Sequence, residues 1–197
     1  MSNPALLFAV IWLGWLLSWT VAALWSDRVE KRLVTWDVLV YRILIGAGVF
    51  LSLHLTARHL GARRIWHVGY IGAYLLAGVT LAGILFAWWA RIHLGRLWSS
   101  GVTRKDNHRV VDTGPYSLVR HPIYTGLLIS ALATTIAQAT ATALAGWVLI
   151  VVGIWIKARA EERFLSVELD PQAYASYRIR VPMMLPFVQR ERLGSRQ

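Results

Sequence analysis

Apolar residues fall into five runs separated by polar breaks. They span Ala5–Trp25, Val38–Leu55, Val68–Ala90, Pro122–Ala137 and Ala141–Ile156, and Arg42 is the one charged residue inside them. A helix rises about 1.5 Å per residue and the hydrocarbon layer is about 30 Å thick, so the longer runs are sized to cross it. The pattern predicts an all-α integral membrane protein with about five transmembrane helices. The fourth and fifth runs are joined by a few small residues, which forces an antiparallel C-terminal hairpin. The fifth run has no stop signal at Ile156. Its helical pattern continues through Lys157–Leu169 until Asp170-Pro171 ends it, lifting Glu161 and Glu162 one to two turns out of the bilayer.

Side-chain faces add packing expectations. Trp12, Trp15 and Trp19 share a face of the first helix that suits lipid or helix contact, and Trp25 and Trp36 bracket a polar turn as interface anchors. Arg42, about one turn into the second run, is placed to snorkel to the interface. Gly46-x-Gly48 lies in an apolar helix with no strand before it, so it is not a dinucleotide fingerprint. Gly69, Ala73 and Ala77 recur every fourth residue, a small face that allows close helix approach. Gly126, Ser130, Thr134 and Gln138 form a small, polar face suited to a helix or a cofactor.

Composition agrees with the pattern. Of 197 residues, 56% are hydrophobic and only 16% charged, well below the quarter of a soluble domain. Cysteine is absent, which excludes disulfides, thiolate metal sites and thiol nucleophiles. The net charge of +11 flanks apolar segments, so it implies membrane lipid headgroups as partners and no nucleic acid. With five spans, the first turn, the long loop and the tail hold 17 of the 21 basic residues on one side. The positive-inside rule makes that side cytoplasmic.

The polar chemistry gathers on the same side. Arg91–Arg120 is a loop far longer than a bundle connection needs, with enough apolar residues to fold back onto the membrane surface. It ends in Thr113–Gly126, TGPYSLVRHPIYTG, at the mouth of the fourth helix. Pro122 suits a first helical turn, whose unpaired N–H groups favour an anion, and Arg120 and His121 add donors there. An anion cradle and a plain surface anchor both fit these residues. Glu161 and Glu162 point about 100° apart on one helix, so at most one faces a given site. Lys157 and Arg159 offer them simple ion-pair partners. The hairpin can equally bring one of them beside Arg120 and His121. Tyr174, Tyr177 and Arg180 form a third set, with the tyrosines best read as a cap on the loop. The six histidines show no metal-ligand spacing, and neither a Gly-x-Ser-x-Gly elbow nor a Walker loop is present.

The succession LGRLWSSGV (Leu94–Val102), HRVVDTGPYSLVRHPIYTG (His108–Gly126), EERFL (Glu161–Leu165) and YASYRIRVPMMLPF (Tyr174–Phe187) resembles the isoprenylcysteine carboxyl methyltransferase family. That family is related in its C-terminal half to phospholipid N-methyltransferases. The resemblance implies a polytopic enzyme that uses S-adenosylmethionine without a Rossmann domain. By motif it assigns Tyr116, Arg120, His121, Tyr124, Gly126, Glu161 and Glu162 as cofactor contacts, and with that cofactor Tyr124 and Trp98 are the aromatic rings expected to flank the adenine or sulfonium. It places the catalytic tail arginine at Arg178 or Arg180, with Arg180 preferred, alongside Glu161. The length matches the compact prokaryotic members, which implies an inner-membrane protein with a cytoplasmic C-terminus. The chain then reads as one polytopic domain: two N-terminal spans over 1–67, a methyltransferase-like core over 68–187 and a basic tail over 188–197. The implied reaction is methyl transfer to a carboxylate or thiol of a lipophilic acceptor, possibly an isoprenoid. A phospholipid amine methyltransferase, and a non-catalytic or reductase protein sharing the frame, are the alternatives.

Overall fold

A computed structural model describes residues 4–24, 29–32, 36–53, 61, 63–95, 98, 103–105 and 110–186. Among the described residues six α-helices carry the fold: α1 Pro4–Ala23, α2 Trp36–Ser52, α3 Tyr70–Leu94, α4 Pro122–Gln138, α5 Ala141–Glu168 and α6 Pro171–Arg180. Two short strands, β1 Val29–Arg32 and β2 Thr103–Lys105, pair antiparallel and tie the α1–α2 connection to the α3–α4 connection. Trp25 and the tail 188–197 lie outside the described residues.

Among the described residues three helices, α1, α3 and α5, are long and apolar enough to cross a membrane. α4 is apolar but shorter, at 17 residues, and α2 has the same length. α5 runs unbroken for 28 residues, as its uninterrupted pattern predicts, or about 42 Å at the helical rise. Thr140 caps its start by accepting from the Ala143 N–H at 3.2 Å. Asp170 then caps α6 by accepting from the Gln172 N–H at 3.0 Å, with Pro171 in the first turn. The segment after the terminating Asp-Pro is therefore a helix of its own.

Small residues set the two closest helix crossings. α2 lies along α5 with Gly48 against Gly146, where a Cβ on either would stand 2.5 Å from the other's carbonyl oxygen. α3 lies along α4 through the same kind of reciprocal contact between Gly83 and Gly126. Beside it the Ser130 hydroxyl donates to the Thr80 carbonyl at 2.8 Å. Helices without room for side chains at the crossing gain close van der Waals contact and these interhelical hydrogen bonds. The Gly126, Ser130, Thr134 and Gln138 face is thus a helix-packing face. Thr134 accepts from the Trp12 indole at 3.0 Å, and the Gln138 amide donates to the Ser52 carbonyl at 2.9 Å. The small face of α3 runs through Ala77, Thr80, Gly83, Ala87 and Ala90, all buried, whereas Gly69 has nothing within 4 Å of a built Cβ. A strict spacing of four drifts off a helix of 3.6 residues per turn, which is why the Gly69 end misses.

The indole stripe of α1 serves helix packing. Trp19 meets Trp88 and Trp98 edge-on, with centroids 5.3 and 5.6 Å away. Arg91 corrects the expected end of the third apolar run. α3 continues to Leu94, and Arg91 is buried rather than opening the loop. Its guanidinium donates to the Gly95 carbonyl at 2.6 Å and the Ala22 carbonyl at 2.7 Å, capping two helix C-termini at once. It also lies 4.5 Å over the Trp98 ring. Such contacts alternate the helix directions. The C-terminal ends of α1, α3 and α5 meet the N-terminal ends of α2 and α4 at one polar end of the bundle.

Candidate functional site at the polar end of the bundle

The site begins where the loop returns to the helices. Gly114 has φ +57°, a left-handed conformation that favours glycine. A Cβ there would sit 2.7 Å from the His93 ring. His93 Nε2 lies 2.8 Å from the Thr113 hydroxyl, anchoring a 3-10 turn over Gly114–Ser117. That turn drops Tyr116 into a cluster with Ala87, Ala90 and Ile123, against which Trp19, Trp98 and Tyr124 also pack. Burial pushes the Tyr116 phenol well above its usual range. The Tyr116 carbonyl accepts from the Tyr177 hydroxyl at 2.8 Å. Tyr174 and Tyr177 are buried with Leu169 and Val181, and burial raises both phenols. They cap the loop, as expected of them.

Pro122 starts α4, and His121 occupies the N-cap position without a side-chain capping bond. The mouth of the helix is held by the chain itself. The backbone N–H groups of Arg120 and His121 donate to the carbonyls of Pro182 and Met183, at 2.9 and 3.0 Å. The Thr125 hydroxyl reaches the Met184 carbonyl at 2.8 Å. The segment after α6 was not foreseen in this role, since backbone carbonyls leave no mark in a sequence.

Arg120 is saturated. Nε donates to Glu162 Oε1 at 2.7 Å, and Nη2 lies 2.6 Å from the same oxygen. Nη1 donates to the Arg178 carbonyl at 3.0 Å and to the Val181 carbonyl. Both partners of the Arg120–Glu162 pair are buried, which a charge pair tolerates only with its donors satisfied. His121 stands between the two carboxylates, with Nε2 3.4 Å from Glu162 Oε1 and Nδ1 3.6 Å from Glu161 Oε2. Its ring stacks on Tyr124 at 5.4 Å, nearly parallel. The Tyr124 hydroxyl donates to Glu161 Oε1 at 2.6 Å.

The hairpin therefore brings Arg120, His121, Tyr124, Glu161 and Glu162 together, with the two glutamates facing different partners as their 100° offset requires. Glu162 pairs with Arg120 rather than with Arg159, whose guanidinium lies over Trp155. Gly126 faces the α3 crossing, and its missing side chain is taken up by Gly83 and Ala87. Trp98 sits with Trp19 and Arg91 on the other side of the Tyr116 cluster. The tail arginines separate. Arg178 Nε lies 3.6 Å from Glu162 Oε2, whereas Arg180 pairs with Asp112 at 3.0 Å on the exterior. The arginine beside the glutamates is Arg178, not the preferred Arg180. Lys157, not foreseen as a site residue, lies 5.1 Å from the Tyr124 ring centroid and 5.7 Å from that of Tyr41. Its spacing of four to Glu161 was the available signal.

Residues 75–167 match the isoprenylcysteine carboxyl methyltransferase (ICMT) family, a stretch that holds Trp98, Tyr116, the α4 mouth and both glutamates but ends before Arg178. A protein of Oryza sativa subsp. japonica named probable protein-S-isoprenylcysteine O-methyltransferase is 26% identical over 182 residues, covering 87% of this chain and 89% of the relative. The protein-S-isoprenylcysteine O-methyltransferase of Xenopus laevis is 29% identical over 86 residues, covering 44% of this chain and 30% of that protein. Protein-S-isoprenylcysteine O-methyltransferase B of Arabidopsis thaliana is 24% identical over 130 residues, covering 65% of this chain and 64% of that protein.

Proposed function

With the chain placed as an isoprenylcysteine carboxyl methyltransferase-like membrane methyltransferase, we propose that it transfers methyl from S-adenosylmethionine to a carboxylate or thiol of a lipophilic, isoprenoid-like acceptor. The carrying observation is the meeting of Arg120, His121 and Tyr124 with Glu161 and Glu162 at one end of the bundle. In this reading α2 and the shorter α4 cross the bilayer with α1, α3 and α5 as one domain, and that end faces the cytoplasm, where the basic residues gather.

The donor set fits the cofactor's chemistry. S-adenosylmethionine supplies an electrophilic methyl on a sulfonium, and presents a carboxylate, an ammonium, two ribose hydroxyls and an adenine for recognition. Glu161 is the more open carboxylate, with 16% of its side chain exposed, and takes the ammonium or ribose hydroxyls. Tyr124 orients Glu161 through its hydroxyl. Arg178 provides positive charge for the carboxylate, and His121 offers it a ring nitrogen. Arg120 holds Glu162 and the end of α6 in place, because its donors are already committed. With an acceptor that is already anionic, no general base is needed. Catalysis is then chiefly positioning of the reactants and exclusion of water.

Calorimetry of S-adenosylhomocysteine on the purified protein in detergent tests the reading, with saturable binding as the expected result. No heat at millimolar ligand would end it. Labelled-methyl transfer into a lipid extract then separates a prenyl acid or thiol from a phospholipid amine as acceptor.

A further inference from the structure

The polar groups of the site lie under cover. The side chains of Arg120, His121 and Glu162 are 9% exposed or less, and that of Glu161 is 16% exposed. A ligand with the bulk of a nucleoside reaches such groups only if one boundary of the site parts. Among the described residues the boundaries are the α4 mouth, the emergent turns of α5, α6 with the strap 181–186 after it, and the connection 110–117. Most of these junctions are built to stay shut. α4 and α5 are set in the bundle by their glycine crossings with α3 and α2. The strap is tied to the α4 mouth by the Arg120 and His121 N–H groups, which donate to the carbonyls of Pro182 and Met183, and by the Thr125 hydroxyl on Met184.

The boundary between α6 and the connection 110–117 is held more lightly. Tyr174 and Tyr177 are the buried residues of α6, and Gln172, Ser176 and Ile179 on its other faces are exposed. Among the described residues two polar contacts cross this boundary. The Tyr177 hydroxyl donates to the Tyr116 carbonyl at 2.8 Å under cover, and Arg180 Nη2 lies 3.0 Å from Asp112 Oδ2 at the surface. Val110 adds an apolar contact to the tyrosine cluster. An exposed ion pair breaks at little cost because water solvates both ions, and elements held in this way are the ones that open locally. We infer that the boundary between α6 and the connection 110–117 is the portal through which the cofactor enters and its product leaves, with the Arg180–Asp112 pair as the latch that sets the exchange rate. This rests on the methyltransferase reading and adds to it the step of cofactor exchange. The pair stands outside the site, so it biases opening in the empty and the loaded protein alike. Weakening it multiplies the entry and exit rates by one factor and leaves their ratio, the Kd, unchanged.

The test follows labelled S-adenosylhomocysteine on the full-length protein in detergent. Association and dissociation rates come from rapid mixing and chase, and Kd from calorimetry. Asp112→Asn should raise both rates about two- to fivefold, the range open to one exposed ion pair, with Kd held within about twofold. Exchanging the charges, Asp112→Arg with Arg180→Asp, should bring both rates back toward those of the parent. The chain has no cysteine, so a bismaleimide joins Asp112→Cys to Arg180→Cys at that one place. The joined protein should release bound S-adenosylhomocysteine at least about tenfold more slowly than the unjoined one, as a portal held shut requires. Unchanged rates in Asp112→Asn, or equal release from joined and unjoined protein, would overturn the inference. So would a faster dissociation alone with a matching loss of affinity, which would make the pair a support of the bound state. A parent protein that does not bind S-adenosylhomocysteine at all removes the methyltransferase reading and this inference together. Binding with rates indifferent to the latch removes only the inference.

Discussion

Arg120 and Glu162 form a buried ion pair across 42 residues of sequence, with guanidinium nitrogens 2.6 and 2.7 Å from one carboxylate oxygen. The pair clamps the N-terminal mouth of α4 to the emergent part of α5. Through Nη1, Arg120 also holds the carbonyls of Arg178 and Val181 at the end of α6. One side chain thus fixes the three elements that frame the candidate site.

Removing either partner leaves the other charged and buried, a loss of about 3–5 kcal/mol. Arg120→Ala and Glu162→Ala should each lower the thermal midpoint in detergent, and the double variant should fall well short of their sum. Arg120→Lys should not rescue, because Lys lacks the planar fork that serves these three acceptors at once. Additive losses in the double-variant cycle would show that the two residues act independently.

Glu161 has a different role, and its replacement should separate from stability. Glu161→Gln keeps an acceptor for the Tyr124 hydroxyl but removes the charge proposed to meet the cofactor. S-adenosylhomocysteine affinity should drop at least about tenfold, while the thermal midpoint stays close to that of the parent. Tyr124→Phe should weaken binding less, since the ring remains. An unchanged affinity in Glu161→Gln would place the site elsewhere.

Gly126 distinguishes packing from ligand contact. A Cβ there would run into the Gly83 carbonyl and stand 2.9 Å from the Ala87 nitrogen, both backbone atoms that yield poorly. Gly126→Ala should therefore cost roughly 1–3 kcal/mol of stability through forced separation of α3 and α4. Cofactor affinity of the folded fraction should be little altered. A stable Gly126→Ala protein that fails to bind S-adenosylhomocysteine would instead make Gly126 a cofactor contact.

The parts of this architecture visible in sequence are those written in local patterns. Helix extents followed from apolar runs, the continuation of α5 from its lack of a stop signal, and its end from Asp170-Pro171, whereas α6 beyond it was not foreseen. The antiparallel α4–α5 hairpin followed from a connection too short to do otherwise, but whether a glutamate met the α4 mouth stayed open beside the simpler pairing with Lys157 or Arg159. Arg91 was misread because a charge after an apolar run looks like the start of a polar loop. Its real acceptors, the carbonyls of Ala22 and Gly95, are invisible in sequence. Lys157 was absorbed into an i, i+4 pairing with Glu161, and only the packing of α2 and α4 reveals the rings around it.

The two tail arginines offer the sharpest remaining contrast, because their spacing could not decide between them and their surroundings differ. Two residues apart on α6 they point about 200° apart, so they cannot serve one site. Arg180 pairs with Asp112 where their side chains are 59% and 38% exposed, a contact worth at most about 1 kcal/mol after screening. Arg178 is less exposed, its Nε faces Glu162, and its carbonyl is one of the acceptors that fix Arg120. Arg178→Ala should weaken S-adenosylhomocysteine binding by roughly tenfold with a modest loss of stability, since the backbone carbonyl survives the substitution. Arg180→Ala should leave affinity within about twofold and lose the small Asp112 contribution only at low salt. Calorimetry on both variants at two salt concentrations checks this. The reverse ranking would return the functional role to Arg180 and require α6 to turn its other face inward when the site is filled.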